Sequence, residues 1–218
     1  FYEGDNNYLE DWSDAYTVIE VKKANTTLVL STSTTPSVYG QNVKFTAEVS
    51  IDEPASAVIT GAVQFFIDDV EFGAPVSLVN GKATSDWINT LAVGNHSISA
   101  QYLESDLLAA SDVETLTQVV DKANTTITLD SDLNPSPYGG PVLVTATVEG
   151  VAPSQLHPTS GTVQFFVDGV EYGAPVSLNA DGQASKLLPY TALWVGTHPI
   201  TAIYSGDDTS FYGSNNHA

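Results

Sequence analysis

The chain has 218 residues, and its 26 acidic side chains stand against six lysines and no arginine, for a formal charge of −20. That balance repels phosphate backbones and anionic headgroups and so excludes nucleic acid as a partner. The absence of cysteine excludes a disulfide framework and thiolate zinc sites, and no apolar run reaches the ~18 residues of a membrane-inserting span.

Taken in chain order, the first alternating stretch is residues 15–22, in which Ile19 and Val21 share one parity. Strands are then expected near 26–32, 42–51, 61–68, 74–79, 82–89, 95–103 and 112–121, and a second series starts at about 125. Val43, Phe45, Ala47 and Val49 fall on one face and Lys44, Thr46, Glu48 and Ser50 on the other, the pattern of a half-buried antiparallel strand. Val63, Phe65 and Ile67, then His96, Ile98, Ala100 and Tyr102, mark further inward faces. Asn80-Gly81, Asp168-Gly169 and Asp181-Gly182 are dipeptides suited to tight hairpin turns. Extra residues around Leu187–Tyr190 blur the register of the fifth strand in the second series. No segment carries a helical period.

The second series repeats the first. KANTT at Lys23 returns at Lys122, SVYG at Ser37 returns as SPYG at Ser136, and GAVQFF at Gly61 returns as GTVQFF at Gly161. FGAPVSL at Phe72 returns from Tyr172, and LAVGNHSISAQY at Leu91 returns as LWVGTHPITAIY at Leu193. A period of roughly 100 residues is the size of an independently cored domain, too long for a solenoid unit. About seven short strands per copy, with frequent turns, predict two tandem Greek-key β-sandwiches over residues 23–121 and 122–218, an all-β fold. The link DKANTT has almost no spare residues, which predicts an elongated, stiff pair.

The order of these blocks resembles the bacterial Ig-like repeats found in tandem in very large bacterial and archaeal surface proteins. The resemblance covers essentially the whole chain. It implies an Ig-like sandwich used as a spacer, stalk or adhesive module, and it brings no catalytic residues.

The ends are out of phase with the repeat. Phe1–Asp5 resembles Ile203–Asp207, and Tyr16–Val21 aligns with Thr115–Val120, so residues 1–22 read as the tail of another copy and the chain as a processed or excised piece. The second copy reaches Ala218 in the loop where its final strand is due, which predicts an open sheet edge. Two arrangements follow. Either the chain is a window of a longer covalent array, or Tyr16, Thr17, Ile19 and Val21 of one subunit complete the second sandwich of its neighbour by strand addition.

Other chemistry is sparse. His96 and His198 are equivalent by repeat and read as hydrogen-bonded structural histidines, because no orienting acid or nucleophile is seen to recur around them; His157 and His217 sit in loops. Asp68, Asp69 and Glu71, with Asp168 and Glu171, and Asp207, Asp208 and Asp5, cluster at turns without a calcium loop's ligand count, so no metal or cofactor is expected. Lys44 has outward parity and Leu143 as its counterpart, against an isopeptide crosslink. Asn25, Asn95 and Asn124 head N-x-Ser/Thr sequons and are candidate glycosylation sites. Trp12, Trp87 and Trp194 occupy non-equivalent positions, which favours local packing over a sugar-stacking face. The expected function is a non-enzymatic extracellular or cell-surface array, a stalk, fibre or adhesin shaft whose partners are copies of the same or similar domains. The alternative is a binding module for a glycan or a surface protein.

Overall fold

The computed structural model describes residues 5–7 and 18–216, and among these the protein is all β. The first sandwich contains β1 (Thr26–Thr32), β2 (Ser37–Val38), β3 (Phe45–Ile51), β4 (Ala62–Ile67), β5 (Val70–Glu71), β6 (Val76–Ser77), β7 (Lys82–Thr84), β8 (Gly94–Tyr102) and β9 (Glu114–Asp121). The second contains β10 (Thr125–Ser131), β11 (Val142–Gly150), β12 (Thr162–Val167), β13 (Val170–Glu171), β14 (Val176–Ser177), β15 (Gln183–Leu188), β16 (Ile200–Tyr204) and β17 (Ser214–Asn215). In the first, β1, β3 and β7 form one sheet and β2, β9, β8, β4 and β5 the other, with β6 also on β4. In the second, β10, β11 and β15 face β13, β12, β16 and β17, with β14 on β12.

Alternation places the core as expected. Val43, Phe45, Ala47 and Val49 are buried while Glu48 and Ser50 face solvent, and Val142, Val144, Ala146 and Val148 repeat this. Val63, Phe65, Ile98, Ala100 and Tyr102 close the first core from the facing sheet, and Val163, Phe165, Ala202 and Tyr204 close the second. Burial of each large apolar side chain contributes about 1.5–3 kcal/mol.

The tyrosines tie core to turn. Tyr102 Oη donates to Thr60 O at 2.6 Å and Tyr204 Oη to Ser160 O at 2.8 Å. Burial, and then Asp207, push the Tyr204 phenol up to about 12, so it remains a donor. The phenols crowd the next residue: a Cβ on Gly61 would lie 2.8 Å from Tyr102 Oη and one on Gly161 2.7 Å from Tyr204 Cε2. Both glycines also hold positive φ, so each block must open on Gly.

Turn chemistry follows the dipeptides with one exception. Asn80-Gly81 and Asp168-Gly169 have positive φ at both residues, as does Asp68-Asp69. At Asp181-Gly182 only the glycine does, and Asn179 Oδ1 instead accepts from the N–H groups of Asp181 and Gln183. The irregular fifth strand lies in the first copy, not in the second as the insertion suggested. There β7 stops at Thr84, Ser85 Oγ accepts from Phe45 N at 3.0 Å, and pairing returns only at the Val43–Ile88 bridge. β15 runs unbroken from Gln183 to Leu188 against β11.

The two sandwiches meet directly. Ala123 is fully buried and bridges Phe211, as Ala24 bridges Leu108 in the first copy. The Tyr39 ring meets Phe211 edge-on, with centroids 5.3 Å apart at 87°. Gln155 N–H donates to Gly40 O at 3.0 Å, and Asn42 Nδ2 donates to Gln155 Oε1 at 3.1 Å. Val38 and Tyr39 thereby pack on the second core.

Candidate functional site

A groove of about 490 Å³ runs along the second sandwich between Ser131–Pro137 and β16, lined by Ser131, Ser136, Pro137, Val144, Leu188 and Ile200 and flanked by Tyr138 and Trp194. The first sandwich shows what such a space holds. There β9 pairs antiparallel with β8 from Gly94 to Ala100 and parallel with β2 at Ser37 and Val38. Thr32, Ser37, Val38 and Ile98, around β9, are the repeat counterparts of Ser131, Ser136, Pro137 and Ile200 around the groove. Among the described residues β16 is paired on that side at Ile203 and Tyr204, by Asn215 and Ser214, and at Ala202, whose O accepts from Asn216 N–H at 3.2 Å and whose N–H donates to Asn216 Oδ1 at 2.7 Å. The final strand therefore starts at Ser214, within what the sequence reads as loop, because Ser-Asn-Asn carries no apolar alternation to announce it.

One residue of β9 breaks the apolar parity of its inward face. Gln118, between the inward Leu116 and Val120, is fully buried. Thr32 Oγ1 donates to its Oε1 at 2.7 Å, and its Nε2 donates to Ser37 Oγ at 3.1 Å and Val119 O at 3.0 Å. The second groove keeps the matching hydroxyls, Ser131 and Ser136. A polar residue at an inward strand position was the available signal.

At the rim, His96 Nδ1 is 2.7 Å from Asp68 Oδ2 and Nε2 2.9 Å from Ala92 O. His198 repeats this with Asp168 Oδ2 at 2.7 Å and Trp194 O at 3.0 Å. Carboxylate and carbonyl oxygens only accept, so this arrangement stabilises the ring with both nitrogens protonated. Burial disfavours charge on His96, but Asp68 and Ala92 outweigh it and its pKa is raised; Asp168 and then Trp194 raise that of His198. The bond from His96 chiefly holds Asp68 below the usual carboxylate range. The expectation that no acid recurs beside these histidines is corrected: pairing of β4 with β8 brings Asp68 opposite Ser97, and sequence distance concealed it.

A family profile described as bacterial Ig-like domain (group 3) matches residues 30–121 and again 129–218. The chain belongs to this bacterial Ig-like family. No curated protein matches it. Among solved structures, the Yersinia pseudotuberculosis adhesin InvE is 14% identical with a TM-score of 0.34 over 87% of this chain and 57% of its own. A Parabacteroides merdae β-glucuronidase is 13% identical with a TM-score of 0.28 over 88% and 25%, and a central fibronectin-III array of RIM-binding protein 12% with 0.28 over 82% and 64%. The chain thus spans little more than half of the adhesin chain, and at these scores the likenesses carry no argument about role.

The remaining candidates of this Ig-like pair fall as follows. Ile19 and Val21 are 80% and 89% exposed and lie outside any strand, while Tyr16 and Thr17, like Trp12 and His217, are outside the described residues. Asn25, Asn95 and Asn124 are all exposed. Lys44 Nζ sits 4.6 Å from the centre of the Trp87 ring, a surface cation–π contact. Tyr138 and Trp194 pair at 6.2 Å. Asp207 Oδ1 accepts from the N–H groups of Thr209, Ser210 and Phe211, so this acid holds its own turn. His157 Nε2 lies 3.1 Å from Ala180 O. Among the described residues no three metal-ligating side chains gather, and no helix is long and apolar enough to cross a membrane.

Proposed function

We propose that the protein is a non-enzymatic structural array of the cell surface or extracellular space, a stalk, fibre or adhesin shaft with units at 23–121 and 122–218. In this reading the second unit is completed by Tyr16–Val21 of a neighbouring copy. The observation that carries it is the groove beside β16, with Ser131, Ser136 and Ile200 in the places that Thr32, Ser37 and Ile98 take around β9. In the repeat alignment Val21 takes the place of Val120 and Ile19 that of Gln118. Both are exposed in the single chain, and both gain burial in the groove.

The test uses the full chain with Ile19→Asp and Val21→Asp, which cannot donate its own segment but keeps its groove. A labelled peptide of residues 14–23 is expected to bind it saturably by fluorescence anisotropy. Equal binding by the same peptide carrying both aspartates would sink the reading.

The exposed Tyr138–Trp194 pair favours one second reading, an adhesive face for a glycan or surface protein. Under it, Trp194→Ala would abolish retention on an immobilised glycan panel without changing the association state of the chain.

A further inference from the structure

The hairpin turn at Asn80-Gly81 combines features found together at no other asparagine of the chain. Asn80 is the only asparagine followed by glycine, whose missing side chain leaves the peptide nitrogen open to approach. Asn80 is exposed, and among the described residues neither its carboxamide nor the Gly81 N–H has a hydrogen-bond partner. Other asparagines are tied or blocked. Asn42 Nδ2 donates to Gln155 Oε1, and Asn216 Oδ1 accepts from Ala202 N–H. Asn134 precedes a proline, which has no N–H, and Asn179 precedes alanine and accepts from the N–H groups of Asp181 and Gln183. The Asn80 turn itself rests on few bonds: Val79 and Lys82 exchange two, at 2.8 and 3.1 Å, and Gly81 O accepts from Val49 N–H at 2.8 Å.

We propose that Asn80-Gly81 is a self-modification site, at which intramolecular deamidation ages the first sandwich and spares the second. The Gly81 nitrogen attacks Asn80 Cγ, its proton passes to solvent, the carbon–nitrogen bond of the carboxamide breaks and ammonia leaves. Water then opens the five-membered succinimide at either carbonyl, giving aspartate or isoaspartate with no change of oxidation state. Asp168 and Asp181 also precede glycine, but an ionised carboxylate is a far poorer electrophile than a carboxamide. The two products differ in consequence. Aspartate fits the turn, since Asp68 and Asp69 hold φ of 50° and 66°, close to the 51° and 76° of Asn80 and Gly81. Isoaspartate routes the main chain through Cβ and Cγ and lengthens it by one atom, so a two-residue turn built on two positive φ values cannot keep Val79 opposite Lys82. The strand that follows is poorly placed to absorb the change, because β7 is three residues long and carries the buried Ala83. The site does not depend on the proposed array or on the groove.

The experiment incubates the folded full chain at mildly alkaline pH and follows it by peptide mapping with mass spectrometry and by isoaspartyl methyltransferase labelling. Asn80→Gln, whose extra methylene enlarges the ring that must close, and Asn80→Asp are carried beside it. Wild type is expected to exchange one ammonia for one water at Asn80 before any other asparagine reacts, and to accumulate isoaspartate there, while Asn80→Gln takes no label at that position. Hydrogen exchange on the aged protein should show the amides of Val49, Val79 and Lys82 losing protection. Val148 N–H, which donates to Gly182 O at 2.9 Å in the second sandwich, should keep its own. Asn80→Asp should exchange and melt as fresh wild type does, which assigns the loss to isoaspartate and not to the added charge. Reaction first at another asparagine, or reaction only after unfolding in urea, overturns the site. Isoaspartate at residue 80 with protection unchanged at Val79 and Lys82 overturns its effect on the sandwich, and the same loss of protection in fresh Asn80→Asp overturns the assignment to isoaspartate.

Discussion

Each His–Asp pair clips the entry of the sixth long strand to a hairpin tip, and its effect on stability depends on two ionisations of opposite sign. A histidine whose folded pKa is raised contributes stability fully below its unfolded value of 6.5 and loses it as pH rises through the folded value. Asp68, whose folded pKa is lowered, contributes above 3.8 and loses its contribution as pH falls. Melting temperature should therefore be highest between about pH 4 and 6.5 and decline on the alkaline side. Replacing both His96 and His198 by Gln should flatten that alkaline decline. Identical pH profiles for wild type and variant between about pH 5 and 8 would show that neither ring is held charged.

Among the elements, β9 tells most about the groove. Its Gln118 satisfies hydroxyls at Thr32 and Ser37, so Gln118→Leu should destabilise the first sandwich by about 1–3 kcal/mol, read by chemical denaturation. The same logic favours a glutamine in the second groove. A peptide of residues 14–23 with Ile19→Gln should bind more tightly than the native one, by about fivefold to tenfold, because Ser131 and Ser136 gain partners. Weaker binding of the glutamine peptide would mean that the groove does not reproduce the β9 site. The long strands were legible in sequence because Val43 to Val49 and Ile98 to Tyr102 alternate over enough residues to show a period of two. β2 was not, since Ser37-Val38 is too short to have a period and owes its place to β9, far along the chain. The groove was legible only as a phase mismatch between repeats. Its polar floor and the Asp68–His96 contact depend on which strands lie side by side, and alternation within one strand does not report that.

For the whole molecule, the joint can be weighed with a matched pair of substitutions. Gly40 and Gly139 have nearly the same φ, +81° and +83°, so alanine strains the backbone alike at both. Only at Gly40 does the added Cβ press on Ser154 and Leu156. Gly40→Ala should broaden the distribution of interdomain distances in small-angle scattering from dilute protein, while Gly139→Ala leaves it as in wild type. Equal scattering from the two variants would show that the contacts around Gly40 do not set the angle between sandwiches. The parallel pairing of β2 with β9 adds a mechanical consequence. A pull on the two ends of the first sandwich drags these parallel strands in opposite directions along their length, so their hydrogen bonds, with those of Gln118, are loaded in shear together and not opened singly. Among the described residues Ser136-Pro137 of the second sandwich has no such partner, so this shear clasp belongs to the first sandwich.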